Sequence, residues 1–100
     1  MIRGTTPTLR FTLSFDPKIF THLSIVFAQN EEIVLEKTLS DCILNENSVE
    51  VTLSEDETLS FDCEKKYIEI QLRAGIGETR IASNIILTSV TRILKDGRLI

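Results

Sequence analysis

Six features of this 100-residue chain carry atoms able to do chemistry: His22, Cys42, Cys63, the acidic run Glu55-Asp56-Glu57, the pair Gly75-x-Gly77, and the arginines Arg73, Arg80 and Arg92. His22 is the only imidazole and so the only candidate for a histidine base, but no serine or cysteine is poised beside it in sequence for it to activate. Cys63 lies between Asp62 and Glu64, and Cys42 follows Asp41; negative neighbours oppose the thiolate that a nucleophile needs. With no CxxC and a single histidine there is no zinc ligand set, so both cysteines read as small buried hydrophobes, with a bridge between two strands as the alternative. The acidic run lacks the spaced oxygen ligands and the turn glycine of a calcium loop, and reads as the start of a helix. Gly75-x-Gly77 is too short to cradle a phosphate and reads as a hairpin turn. The three arginines read as outward strand residues, or as a basic stripe for an acidic partner. No nucleophile, base and oxyanion donor are brought together, so the expectation is no enzyme, no catalytic residue, no cofactor and no metal.

The elements that position these residues follow from a period of two. Leu9, Phe11, Leu13 and Phe15 alternate with Thr8, Arg10, Thr12 and Ser14, which predicts a strand over 8–15 with one buried and one wet face. Asp16-Pro17 ends it, and 17–20 is a connector in which Ile19 and Phe20 cap the core. Strands are predicted over 22–29 and 32–38, joined by a turn at Asn30-Glu31. Both faces of the second are partly apolar, so its register is the least determined. Short strands over 42–44 and 48–53 follow. Ser54-x-x-Glu57 is a capping box and predicts one short helix near residues 54–60, crossing between sheets with Leu59 and Phe61 at the core edge. A strand over 67–74 with Ile68, Ile70 and Leu72 inward leads through Gly75–Glu78 into a long last strand over 79–94. Its apolar phase shifts near Ser83-Asn84, as a bulge or a bend would produce. The whole predicts an all-β, immunoglobulin-like Greek-key β-sandwich of about seven strands, one domain over 1–100 with short N- and C-terminal tails. The six aromatic residues fall mostly on the apolar phase and read as core.

Bulk properties narrow the partners. A net charge of −4, with eleven scattered Lys and Arg, argues against nucleic acid. No segment approaches the roughly 18 apolar residues of a membrane span, and no signal-peptide core follows Met1, so the chain is expected to be made and kept inside a cell.

The opening Ile2-Arg3-Gly4-Thr5-Thr6-Pro7-Thr8 before an alternating Leu/Phe strand resembles a small protein common in phages and prophages of Gram-positive bacteria. Leu53-Ser54-Glu55-Asp56-Glu57-Thr58, Ile68-Glu69-Ile70-Gln71-Leu72-Arg73, Ser83-Asn84-Ile85 and Val90-Thr91-Arg92-Ile93-Leu94-Lys95-Asp96-Gly97 extend the resemblance over nearly the whole chain. The order of elements is also similar to the N-terminal β-sandwich of phage baseplate upper proteins, which attaches receptor-binding fibres to the tail. In those proteins a helical stalk and further domains follow the sandwich, whereas this sequence stops at Ile100. The resemblance implies a non-enzymatic structural or assembly module of a phage tail or baseplate. It would be made in the bacterial host cytoplasm and carried in the virion, with other phage structural proteins or further copies of itself as partners. Two other functions remain open: a small carbohydrate-binding sandwich, and an intracellular regulator that binds a host protein. The expected partner-binding residues are Ile2, Arg3, Arg98, Leu99 and Ile100, apolar and basic side chains at the two ends that would order only against a neighbour.

Overall fold

A computed structural model describes residues 1–100 as two antiparallel sheets packed over one apolar core. The first sheet has the order β1-β5-β4, with β1 at Thr8–Thr12, β4 at Cys42–Leu44 and β5 at Ser48–Thr52. The second runs β3-β2-β6, with β2 at His22–Gln29, β3 at Glu32–Thr38 and β6 at Tyr67–Ile76; β7 (Thr79–Ala82) and β8 (Ile86–Ser89) both pair with the outer edge of β6. A single α-helix, α1 (Glu55–Leu59), joins β5 to β6. Each change of sheet follows a hairpin or a single strand, which is Greek-key connectivity. In immunoglobulin lettering, β1, β5 and β4 stand at B, E and D, and β3, β2, β6 and β7–β8 at C′, C, F and G. No strand pairs with the outer side of β1.

The period-two reading explains the core. Leu23, Ile25 and Phe27 of β2, Val49 and Val51 of β5, and Ile68, Ile70, Leu72 and Ala74 of β6 are all buried, closed at one end by Leu53 and Phe61 and at the other by Phe20. Phe27 and Phe61 pack with ring centroids 6.1 Å apart. Burying a side chain of this size is worth roughly 1.5–3 kcal/mol, so these residues dominate the stability.

The structure departs from the pattern in several places, each with a local cause. β1 stops at Thr12; Phe15 lies beyond it, 36% exposed and edge-on to Phe20. Phe20 caps the core, but its neighbour Ile19 is exposed and Pro17 is buried instead, because the Asp16 carboxylate accepts from the Lys18 amide and turns the connector into a 3-10 turn. Both cysteines are free and only half-buried. β6 continues through Gly75 to Ile76, so the hairpin loop is Gly77-Glu78 alone, with Gly77 at φ 59° as a two-residue loop requires.

The predicted phase shift in the last strand divides it into two. Ala74 faces Ile81 and Ile70 faces Ile86, four residues apart on β6 but five on its partner. The extra residue falls at Ser83–Ile85, where the Ser83 amide donates to the Leu72 carbonyl at 2.8 Å and its hydroxyl accepts from the Leu72 amide at 3.0 Å. The doubly apolar face of β3 has the same cause. Phe27 faces Leu35 but Ala28 faces Ile33, so Val34 is an inserted residue, and Val34 and Leu35 both pack on the core while Ile33 is left exposed.

Candidate interaction surface

The two chain ends converge on α1. Ile2 bridges Thr91 in parallel, with the Arg3 amide donating to the Thr91 carbonyl at 3.0 Å and the Thr91 amide to the Met1 carbonyl at 2.8 Å. Arg3 reaches the end of the helix. Its Nε donates to the Phe61 carbonyl at 2.7 Å, its Nη2 to the Leu59 carbonyl at 2.8 Å, and its Nη1 contacts the Asp96 carboxylate. The last carbonyls of a helix have no partner within it and carry partial negative charge, so a guanidinium is well suited to them. At the other end of α1, Glu55 accepts from the Leu99 amide at 2.8 Å, and Arg98 Nε lies 3.4 Å from both Glu55 and Asp56. Arg3 and Arg98 are thereby engaged within the chain. Ile2, 49% exposed, and the nearly fully exposed Leu99 and Ile100 are the members of the set with free apolar surface.

Ile2 opens onto a groove lined mainly by apolar side chains. The groove, of about 410 Å³, runs between β1 and β8, lined by Leu9 and Phe11 on one wall and Ile70, Ile86 and Leu87 on the other, with Pro7 at one end. Its walls are sheet edges. The Leu53 amide donates to Pro7 and the Leu13 amide to Asn47, so odd-numbered residues of β1 bond to β5. Antiparallel alternation then points the amides and carbonyls of Thr8, Arg10 and Thr12 away from the sheet. None of these six groups takes part in a backbone bond outside the β1–β5 ladder. On the opposite wall the Val90 amide bonds to Lys66, so the Leu87 backbone points outward in the same way. The Ser89 carbonyl beyond it is taken by the Met1 ammonium at 2.6 Å. Sequence reasoning missed this groove because Leu9 and Phe11 carry an ordinary core pattern; their half-burial shows only when the outer side of β1 is seen to be unpaired.

The candidates for chemistry are dispersed. His22 and Arg80 both face Gly75 across the sheet, and Arg73 lies two residues away on the same outer face, in a shallow cleft of about 280 Å³. Arg80 Nη1 is held by the Gly77 and Thr79 carbonyls at 2.8 and 3.1 Å, whereas Arg92 lies beyond β8, so the three arginines form no continuous stripe. Burial pushes the Cys42 thiol up, with Asp41 adding to the effect, which disfavours its thiolate. Glu55 is held by the C-terminal tail, and Glu57 by Ser54 and by Lys37 at 2.6 Å. No three His, Cys, Asp or Glu side chains gather as a metal site would need. No helix is long and apolar enough to cross a membrane. No protein-family model, curated protein or solved structure matches this chain. The groove and its strand edges are the features left that a partner could use.

Proposed function

We propose that this protein is a non-enzymatic structural or assembly module of a phage, acting by protein–protein contacts in the tail or baseplate. The observation that carries the reading is the apolar groove between β1 and β8, flanked by unpaired backbone and by the exposed side chains of Ile2 and Leu87. An open sheet edge over an apolar floor gives a partner both main-chain hydrogen bonds and side-chain burial. It offers a small substrate no converging acid, base or nucleophile. The phage assignment draws on the resemblance of the opening segment and the last strand to prophage proteins. The product would be made in the host cytoplasm and bind other phage structural proteins.

The test is quantitative mass spectrometry of particles purified after inducing a prophage that carries the gene. Stoichiometric presence with tail proteins is expected. Absence from clean particles, with abundant protein left in the lysate, would remove the virion role and leave an assembly factor or a host-directed regulator.

A further inference from the structure

We propose that two copies of this chain pair β1 to β1, antiparallel about a two-fold axis, joining their three-stranded sheets into one of six strands. The inference deepens the contact-module reading and rests on it for the groove, naming a second copy as what covers it.

Comparison of the sheet edges singles out β1. A soluble sandwich protects its edges by shortness, charge, bulges or cover. β4 has three residues. β3 carries the bulge at Val34 and the charges of Glu32, Glu36 and Lys37. The β7–β8 edge is interrupted at Ser83–Ile85, and Met1–Arg3 lie along its end. β1 has five residues, no bulge and no proline; its one charge, Arg10, lies on the outer face and pairs with Glu50 at 3.2 Å, and no strand lies beside it on its outer side.

β1 also has the side chains that its own groove lacks. Leu9 and Phe11 point inward yet stay half-buried. A second β1 laid antiparallel brings another Leu9 and Phe11 to the same face, over the groove formed with Ile70 and Ile86. An edge that fits itself in this way gives an isologous, closed dimer. Charge excludes one register. Setting Arg10 opposite Arg10 of the second copy would place like charges face to face, which is destabilising. Setting Thr8 opposite Arg10, with Leu9 against Leu9 at the axis, avoids this, as does setting Thr12 opposite Arg10, with Phe11 against Phe11 at the axis. In both registers Pro7, which has no N–H, falls where the backbone faces β5 rather than the partner, so it costs no hydrogen bond across the interface.

The experiment is solution mass by light scattering and sedimentation over a wide concentration range, with amide hydrogen exchange on the same samples. The wild type is expected at twice the mass of one chain. The amide of Arg10, with that of Thr8 or Thr12 according to the register, should gain protection as concentration rises, while those of Leu9 and Phe11 are protected throughout. Arg10→Pro removes an outward-pointing amide together with the exposed ion pair from Arg10 to Glu50, and should raise the dimer dissociation constant about tenfold or more with the fold retained. A monomer at all concentrations overturns the proposal, as does a dimer in which the amides of Thr8, Arg10 and Thr12 all exchange freely. So does a folded Arg10→Pro protein that dimerises as tightly as the wild type. Exchange in the unsubstituted protein decides the matter if the proline variant does not fold. Particle composition tests the phage role separately, so either reading can fail alone.

Discussion

Gln29 ends β2 at an inward position of the alternation, where Leu23, Ile25 and Phe27 precede it, and it is 1% exposed. Its side chain stands in for a strand neighbour. Nε2 donates to the Asp62 carbonyl at 2.9 Å, and Oε1 accepts from the Asp62 amide at 2.9 Å, which fastens the loop after α1 to the core. Gln29→Leu would leave both backbone groups of Asp62 without that partner, and an unmet buried group costs about 1–3 kcal/mol. Urea unfolding is expected to show a loss of about 2–3 kcal/mol. Arg3 does for the end of α1 what Gln29 does for this loop. Arg3→Ala frees the carbonyls of Leu59 and Phe61, with an expected loss of about 2 kcal/mol in the same measurement. Arg3→Lys should recover only part of it, because one ammonium cannot reproduce a fork of planar donors. A polar residue at an inward position was a readable sign for Gln29. Nothing near Arg3 in sequence announced carbonyls 56 and 58 residues away.

Among the elements, the β2–β3 hairpin holds backbone strain that can be relieved. Asn30 at φ 49° and Glu31 at φ 68° occupy the left-handed region that a tight hairpin needs, which asparagine tolerates and glutamate does not. Glu31→Gly is expected to raise stability by about 1 kcal/mol, seen as a higher melting temperature. The helix shows a second coupling. The bulge at Val34 puts Lys37 on the inward phase of β3, and its ammonium lies 2.6 Å from Glu57, tying the outer strand of one sheet to the cap of α1. Burial pushes the Glu57 carboxyl up, but the hydrogen bond from Lys37, the Ser54 amide and the nearby positive charge together hold it below the ordinary glutamate value. A depressed folded value means this contribution is complete above the unfolded value of about 4.3 and is lost as pH falls through the folded one. Asp41, held down chiefly by the Thr38 amide, acts in the same direction. Glu57→Gln should flatten the fall of melting temperature between about pH 6 and pH 3, lowering stability most at the upper end.

For the whole molecule, the two chain ends differ in what they hold. Arg98, Leu99 and Ile100 meet α1 through exposed ion pairs and one amide bond. Exposed ion pairs contribute about 0–1 kcal/mol, so removing these three residues should leave stability within about 1 kcal/mol of the full chain. Removing Met1–Arg3 takes away the parallel bridge to Thr91 and both helix-end bonds. The expected loss is about 3 kcal/mol or more, a large share of the 5–15 kcal/mol typical of a domain. Guanidinium unfolding of the two truncated chains compares them directly. An equal effect from both would show that the N-terminal segment is not part of the folded body.

Alternation alone determined that the chain is a two-sheet β protein, since a side-chain period of two assigns a face to every residue of a strand without reference to any partner. The cap at Ser54, the turn at Asn30-Glu31 and the phase shift near Ser83 were legible for the same reason: each is set by residues within four positions of one another. The long-range bonds of Arg3, the inward Lys37 and the open side of β1 were decided by the tertiary structure. They depend on which strands become neighbours, and that choice is made by the summed burial of distant segments rather than by any local pattern. Of the expected partner-binding ends, read as loose tails, Arg3, Arg98 and Leu99 are bonded to α1, and the unpaired surface lies beside Ile2, along the open edge of β1.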